Sequence, residues 1–88
     1  MNQLLPMTPM GPQIVVLSNR FVYHGNVSTC DTHITIENAK TIRRWGTTAG
    51  LGQLAQYGPR PNTVLDPAGS VWAPISSVNH LIKCARLW

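Results

Sequence analysis

An alternating segment in the first half of the chain restricts the fold more than any other feature of this sequence. In residues 33–37, Ile34 and Ile36 are separated by polar residues. Because successive side chains of a β-strand point to opposite faces, this pattern predicts a half-buried strand with both isoleucines in the core. Short apolar runs at 14–17 and 21–24 predict two earlier strands with a Ser-Asn-Arg turn between them. We therefore expect an antiparallel meander.

The meander is expected to continue with a further strand at 40–45, after a tight turn at Asn38 and Ala39. Alternation along that strand would place Arg43 and Trp45 on one face and Arg44 on the other. This strand therefore carries part of the chain's positive charge beside a large aromatic side chain.

The spacing of apolar residues then changes from that of a strand to that of a helix. Leu51, Leu54 and Ala55 recur at helical spacing, and a Gly-Pro pair ends the pattern. Thr47 or Thr48 is the expected N-cap, because a hydroxyl there accepts a hydrogen bond from an early backbone N–H. The pattern predicts a first short helix.

A second short helix is expected near the end of the chain. Two short strands at 62–65 and 70–73 are separated by an Asp-Pro-Ala-Gly turn signature. Pro74 then leads into residues 75–82, whose apolar side chains would form the buried face of a helix capped by Ser76 or Ser77. The sequence thus predicts an α+β fold, with an antiparallel sheet of four to six strands and two short helices.

The length of 88 residues allows one domain. Residues 1–12 contain prolines and methionines without periodicity and are expected to form a flexible arm, leaving 13–88 as a single ligand-binding domain. Only 11% of residues are charged, well below the usual share, which suggests that a second copy covers part of the surface of a homo-oligomer. The chain shows no signal peptide and no apolar run long enough to span a membrane, so we expect it in the cytoplasm of a cell.

The positive charge of the chain is concentrated in residues 40–60, although the net charge is only +4. Arginines fork onto phosphate oxygens, a tryptophan stacks on a base, and backbone N–H groups at a helix start attract anions. These groups together predict a nucleotide-type site, whereas in the alternative interpretation the tryptophan is a core residue and the arginines are solvated. The candidate ligand-binding residues are Arg43, Arg44, Trp45, Thr47, Thr48, Tyr57, Arg60 and Asn62.

Other chemistries are less well supported by the sequence. Cys30 and His33, with His80 and Cys84, have spacings that zinc ligands use, but the two pairs are far apart and no metal is expected. His24 is either part of a ligand pocket or, as we prefer, an exposed strand histidine. No nucleophile elbow, phosphate-binding loop or paired acid and base is present, so we expect neither an enzyme nor a cofactor.

The order of features along the chain is also informative. A Val-aromatic-aromatic-Gly-like unit at 22–25 is followed by a strand leading into Asn38-Ala39, a strand ending in Trp45, and a helix containing Leu-x-Gln-Leu-Ala. A Thr-Val strand, a segment that begins with a proline and a final Trp88 follow. From about residue 14 to 88, this order resembles the first-described family of phage proteins that counter the bacterial Thoeris defence by sequestering its signal. The chain departs from that pattern at Arg43 and Arg44, where the family has aromatics, at Gly52, where it has serine, and in a shorter loop after the helix.

The resemblance implies a non-catalytic sponge built from a β-sheet and two helices, assembled as a homo-oligomer with pockets between protomers. Such proteins bind cyclic ADP-ribose isomers, and some also hold cyclic oligonucleotides at separate sites. It further implies a phage protein acting in the cytoplasm of the host bacterium, with anti-Thoeris or anti-CBASS activity. Two alternatives remain open: a small basic nucleic-acid-binding β-domain, and a structural protein whose low charge reflects subunit packing.

Overall fold

The computed structural model describes residues 7–88, which form one five-stranded antiparallel sheet, one α-helix and one 3-10 turn. The strands are β1 (Thr8–Leu17), β2 (Val22–Thr29), β3 (His33–Arg44), β4 (Val64–Pro74) and β5 (Val78–Lys83). The helix α1 (Leu51–Tyr57) lies between β3 and β4, and the 3-10 turn (Ile75–Ser77) joins β4 to β5. The predicted antiparallel sheet is confirmed. No helix within 7–88 has the length and apolar character needed to cross a membrane.

The strand order explains the shape of the sheet. Its order is β4-β3-β2-β1-β5, so the two edge strands are consecutive in sequence and are joined by only the 3-10 turn. The N–H of Ile75 donates to the carbonyl of Thr32 at 2.9 Å, and the N–H of Ser18 donates to the carbonyl of Ser77 at 2.8 Å. The sheet must therefore curl until its two edges approach each other at this turn.

The inner face of the curled sheet holds one part of the hydrophobic core. Ile34 and Ile36 are fully buried there, as their alternation predicts. They pack with Val15 and Leu17 of β1 and with partly buried residues of β4 and β5. All five strands thus contribute to one apolar interior. Removing this apolar surface from water is the main source of stability in a domain of this size.

The outer face carries a second apolar cluster that α1 covers. Leu54 and Ala55 of the helix are buried against a cluster that includes Ile14, Val22 and Ile42 of the first three strands. A helix of this length is unstable in water by itself, so this packing is what keeps it folded. The predicted helix is confirmed. Its cap is different, because Gly50 is the N-cap residue and makes no side-chain capping bond.

The predicted second helix is absent, which corrects the fold prediction. Residues 75–77 form the 3-10 turn and residues 78–83 form β5, which pairs with β1 from Leu17↔Val78 to Gln13↔Lys83. The apolar side chains at 78, 81 and 82 suit either structure over so short a segment. Pairing with a strand more than sixty positions earlier decides in favour of β, and local sequence carries no information about that pairing.

Two predicted turns and part of the predicted arm also belong to strands. Asn38, with φ 52°, and Gly69, with φ 71°, lie at irregularities inside continuous strands and do not end them. Residues 8–12 were expected in the flexible arm, but they form the start of β1, with Thr8 opposite Thr29. Residues 1–6 of the predicted arm lie outside the described residues.

Candidate ligand-binding site

The end of β3 carries Arg43 and Arg44 on a β-bulge. Ile42 pairs with Leu65 and Arg44 pairs with Val64, so Arg43 is an extra residue on its strand. A bulge bends the strand and re-aims its side chains. The strict alternation predicted for this segment is therefore interrupted, and both arginines line one open cleft of about 330 Å³ together with Val64.

The two arginines differ in their charge partners. The Nε atom of Arg43 lies 2.9 Å from Oδ2 of Asp66, and both side chains are largely exposed. An exposed ion pair of this kind contributes at most about 1 kcal/mol, so it exchanges readily for another anion. Arg44 is exposed and forms no ion pair with any other residue in the described part of the chain. Arg44 is thus the more available cation of the cleft.

Trp45 follows directly and is 44% exposed, so the alternative interpretation is wrong for this tryptophan, whereas its expectation of solvent-exposed arginines is confirmed. Its side chain lines a groove of about 450 Å³ on the outer face of the sheet, beside the start of α1. The other lining residues are apolar ones from strands and helix (Val16, Leu17, Val22, Leu51 and Ile82) and polar ones (Ser18, Arg20, Asn79 and His80). A groove lined by a half-exposed indole, apolar side chains and a few polar groups suits a flat ligand.

None of the four polar groove residues was among the predicted ligand-binding residues. Arg20 lies in the predicted Ser-Asn-Arg turn with a positive φ of 75°. His80 and Asn79 lie on β5, where Nδ1 of the imidazole is 2.6 Å from the amide oxygen Oδ1. The sequence signal for Arg20 was the turn itself, but only the pairing of β5 with β1 brings this turn and the histidine to one groove.

The backbone amides before α1 are not free to bind an anion. Oε1 of Gln53 accepts hydrogen bonds from the N–H groups of Thr48 at 3.0 Å and Ala49 at 3.1 Å. The hydroxyl of Thr47 accepts from the N–H of Gly50 at 3.0 Å. The expectation that these amides donate to a phosphate is therefore wrong, because side chains of the same segment already accept their hydrogen bonds.

The loop before β4 is attached to the Trp45 backbone. The Thr63 hydroxyl donates to the carbonyl of Trp45 at 2.6 Å and accepts from the N–H of Arg60 at 2.8 Å. Gly46, with φ 65°, lies so close to Asn62 that a Cβ there would be 2.3 Å from the Asn62 carbonyl carbon. Arg60 and Asn62 thus lie on a loop that packs against the end of β3.

Tyr57, the last of the predicted ligand-binding residues, lines neither the cleft nor the groove. Tyr57, at the C-terminal end of α1, is 60% exposed, and its carbonyl accepts a hydrogen bond of 3.4 Å from Nη2 of Arg86. The bulge arginines thus line one concavity, and Trp45, the next residue in the chain, lines another. Thr47, Thr48, Tyr57, Arg60 and Asn62 line neither of them.

His24 is fully buried, so the preferred interpretation of an exposed strand histidine is wrong. Its Nε2 accepts a hydrogen bond of 3.0 Å from the N–H of Trp88, and its Nδ1 lies 3.5 Å from Sγ of Cys84. Burial and the nearby charges of Lys40 and Arg86 lower the pKa of His24 to about 4. His24 is therefore a neutral structural residue that anchors the C-terminal segment.

The four possible zinc ligands do not assemble. Sγ of Cys30 lies 3.4 Å from Nδ1 of His33, but Cys84 contacts His24 and not His80. Within residues 7–88 no group of three or more His, Cys, Asp or Glu residues is arranged to hold a metal ion.

Comparisons of the chain with protein-family models, with curated proteins and with solved structures gave no match. The cleft lined by Arg43 and Arg44 and the groove lined by Trp45 are thus the features from which a function can be inferred.

Proposed function

We propose that this protein captures a small phosphorylated ligand with a flat base and does not transform it, acting as a phage sponge for a cyclic nucleotide immune signal. The observation that carries the proposal is the bulge at Arg43, which lets two arginines line one cleft directly before the half-exposed Trp45 in the chain. β-bulges are over-represented at sheet edges and next to active sites, where they re-aim a side chain or end the pairing.

The phosphates bind in the cleft. Arg44 provides the first guanidinium, and Arg43 joins it by exchanging the exposed carboxylate of Asp66 for a phosphate oxygen. A guanidinium donates two parallel N–H bonds to such oxygens, and charge-assisted bonds of this type are about twice as strong as neutral ones. The cleft thus favours a ligand with at least one phosphate.

The base binds against Trp45 in the groove. Stacking of a base on an aromatic side chain contributes about 1–3 kcal/mol, and the apolar floor adds burial. The groove volume of about 450 Å³ falls within the range of small-molecule pockets. A molecule with phosphate in the cleft and a base in the groove has the composition of a nucleotide.

The resemblance to the anti-Thoeris sponge family supports a cyclic ADP-ribose isomer, or a cyclic oligonucleotide, as this nucleotide. To drain a signal from its receptor, a sponge needs a dissociation constant near 1 nM, or about −12 kcal/mol. Both concavities are open to solvent in a single chain, which makes such affinity difficult. We therefore include a second copy of the chain in the proposal, closing the site as part of a homo-oligomer.

Calorimetric titration tests the proposal. The ligand panel contains cyclic ADP-ribose isomers and cyclic di- and trinucleotides, with linear ADP-ribose as a comparison. The proposal expects tight binding of at least one cyclic ligand and recovery of the intact ligand after heating the complex. Absence of binding across the panel would refute capture, and conversion of the ligand would refute a non-enzymatic function.

A second candidate function, binding of a nucleic acid strand, is favoured by the openness of the cleft and by exposed aromatics such as Trp72 and Tyr57. A strand neutralised by several cations releases counterions, so its affinity falls steeply with salt. The affinity for one small ligand in the cleft falls less as the salt concentration rises. Titration of an oligonucleotide and of the best cyclic ligand at two salt concentrations therefore distinguishes the two functions, and a purely structural protein would bind neither.

A further inference from the structure

A thiol, a hydroxyl and an imidazole meet at the turn between β2 and β3. Sγ of Cys30 is 3.4 Å from both Oγ1 of Thr32 and Nδ1 of His33. The hydroxyl of Thr32 is also 3.0 Å from the same imidazole nitrogen. The ring of Trp72 lies edge-on to the imidazole of His33, with centroids 5.8 Å apart at 73°. These groups do not belong to the proposed ligand site.

The surroundings of Cys30 favour its thiolate. Hydrogen bonds from the Thr32 hydroxyl, the Thr32 backbone N–H and the His33 backbone lower the pKa of Cys30, and together they outweigh the opposing effects of partial burial and the Asp31 carboxylate. Nδ1 of His33 lies within hydrogen-bonding distance of the sulfur, so the imidazole is placed to exchange a proton with the thiol, as donor or acceptor according to its tautomer. Since the thiolate is the nucleophilic form, these contacts increase the reactive fraction near neutral pH.

The second cysteine provides a contrast within the same chain. Cys84 also lies near an imidazole, that of His24, but it is 5% exposed and donates toward the carbonyl of Ile82. Burial raises its pKa to about 11. A buried thiol of this kind is inert, so the fold separates one accessible thiol from one protected thiol.

We infer that Cys30, with Thr32 and His33, forms a reactive thiol site that is modified by low-molecular-weight disulfides. The Cys30 thiolate attacks one sulfur of the disulfide, a mixed disulfide forms at Cys30, the original S–S bond breaks, and the other half leaves as a thiolate. The thiol proton passes to His33 or to solvent. The disulfide itself is the oxidant, so no other redox partner is required.

Time-resolved mass mapping of the native full-length chain tests this site, with 5,5′-dithiobis(2-nitrobenzoic acid) and glutathione disulfide as probes. Cys30 is expected to carry the first adduct, and Cys84 is expected to react only after denaturation. At pH 7 the native Cys30 should react roughly threefold or more faster than the same thiol in the urea-unfolded chain. Equal rates, or earlier modification of Cys84, would overturn the inference.

Two variants separate the roles of the neighbours without disturbing the core. Thr32→Val removes the hydroxyl that contacts Cys30 and His33, and His33→Asn removes the imidazole that contacts Cys30, Thr32 and Trp72. The reaction of Cys30 near pH 7 should slow in both, while the rate at pH 10, where every accessible thiol is ionised, should stay close to that of the native chain. A pH profile identical to the native one in both variants would mean that the cluster does not activate the thiol.

Discussion

The imidazole of His24 lies flat against the indole of Trp88, with ring centroids 3.8 Å apart and ring planes within 5°. The same imidazole accepts a hydrogen bond from the Trp88 backbone N–H, and Nζ of Lys40 donates to the Trp88 carbonyl. These contacts hold the C-terminal segment on the outer face of the sheet, where it covers part of the same apolar cluster as α1. Neutral histidine is required, because a protonated Nε2 has no lone pair for that N–H.

The first prediction concerns acid stability. The pKa of His24 is about 4 in the folded chain and 6.5 in the unfolded chain, so between these values only the unfolded state binds the proton. The free energy of unfolding should therefore fall as the pH is lowered from 6.5 to 4, by about 3 kcal/mol in total. Urea denaturation at several pH values measures this loss.

The matched variant is His24→Gln, whose amide oxygen keeps an acceptor for the Trp88 N–H. It should be less stable than the native chain at pH 7, yet its stability should vary less between pH 6.5 and pH 4. If the variant shows the same slope as the native chain, groups other than His24 determine the acid sensitivity.

The second prediction compares two glycines near the candidate site. Gly46→Ala should destabilise the fold by about 2 kcal/mol or more, because the residue has a positive φ and its Cβ would collide with the backbone of Asn62. Gly52→Ala, where a Cβ meets open space within α1, should stabilise it by up to about 1 kcal/mol. Thermal denaturation of both variants checks this, and equal effects would show that the loop around Gly46 is not tightly packed.

The third prediction concerns Arg43, the cation that forms an ion pair with Asp66. Asp66→Asn removes the ion pair and leaves Arg43 free, so affinity for a phosphorylated ligand should rise several-fold, while stability changes by less than about 1 kcal/mol. Glu37→Gln is the control, because it makes the same change of charge outside the cleft. Glu37 is exposed, and its carboxylate accepts a hydrogen bond of 2.5 Å from the Ser70 hydroxyl. Calorimetry on both variants should show a gain for the first only. A similar gain in both variants would mean that the change in net charge, and not the release of Arg43, raises the affinity.

The fourth prediction distinguishes the roles of Trp45 and Trp72 in ligand binding. Trp45→Ala should weaken ligand binding by roughly 5- to 100-fold, the equivalent of one lost stacking contact. Trp72→Ala removes an aromatic that is 70% exposed and lies on neither concavity, so it should leave affinity unchanged. Trp45→Phe should retain part of the affinity. Loss of binding in the Trp72 variant, with normal binding in the Trp45 variant, would place the ligand elsewhere.

Local patterns predicted those parts of the fold whose structure is decided locally. The alternation around Ile34 and Ile36 and the helical spacing of Leu54 and Ala55 are both confirmed. The second helix was wrong because residues 78–83 gain their hydrogen bonds from β1, far away in sequence. Local sequence shows which side chains are apolar, but it does not show which distant strand supplies their backbone partners.

The candidate site shows the same division. Arg43, Arg44 and Trp45 are neighbours in the chain, so their proximity could be predicted, although the bulge that lets both arginines line one cleft could not. Arg20 and His80 join the Trp45 groove only through the strand order. The loop amides were expected to be free, but the side chain of Gln53 satisfies two of them, a contact that depends on loop geometry.

The most direct measurement of ligand capture at the bulge is a two-dimensional ¹⁵N–¹H spectrum of the indole N–H groups during titration with the tightest-binding cyclic nucleotide. The chain has three tryptophans, so three indole signals report on three separate places. Capture in the cleft and groove predicts a saturable shift of the Trp45 signal, with the Trp72 and Trp88 signals nearly unchanged. A Trp45 signal that stays in place at saturation, or a shift confined to Trp72 or Trp88, would contradict the proposed site.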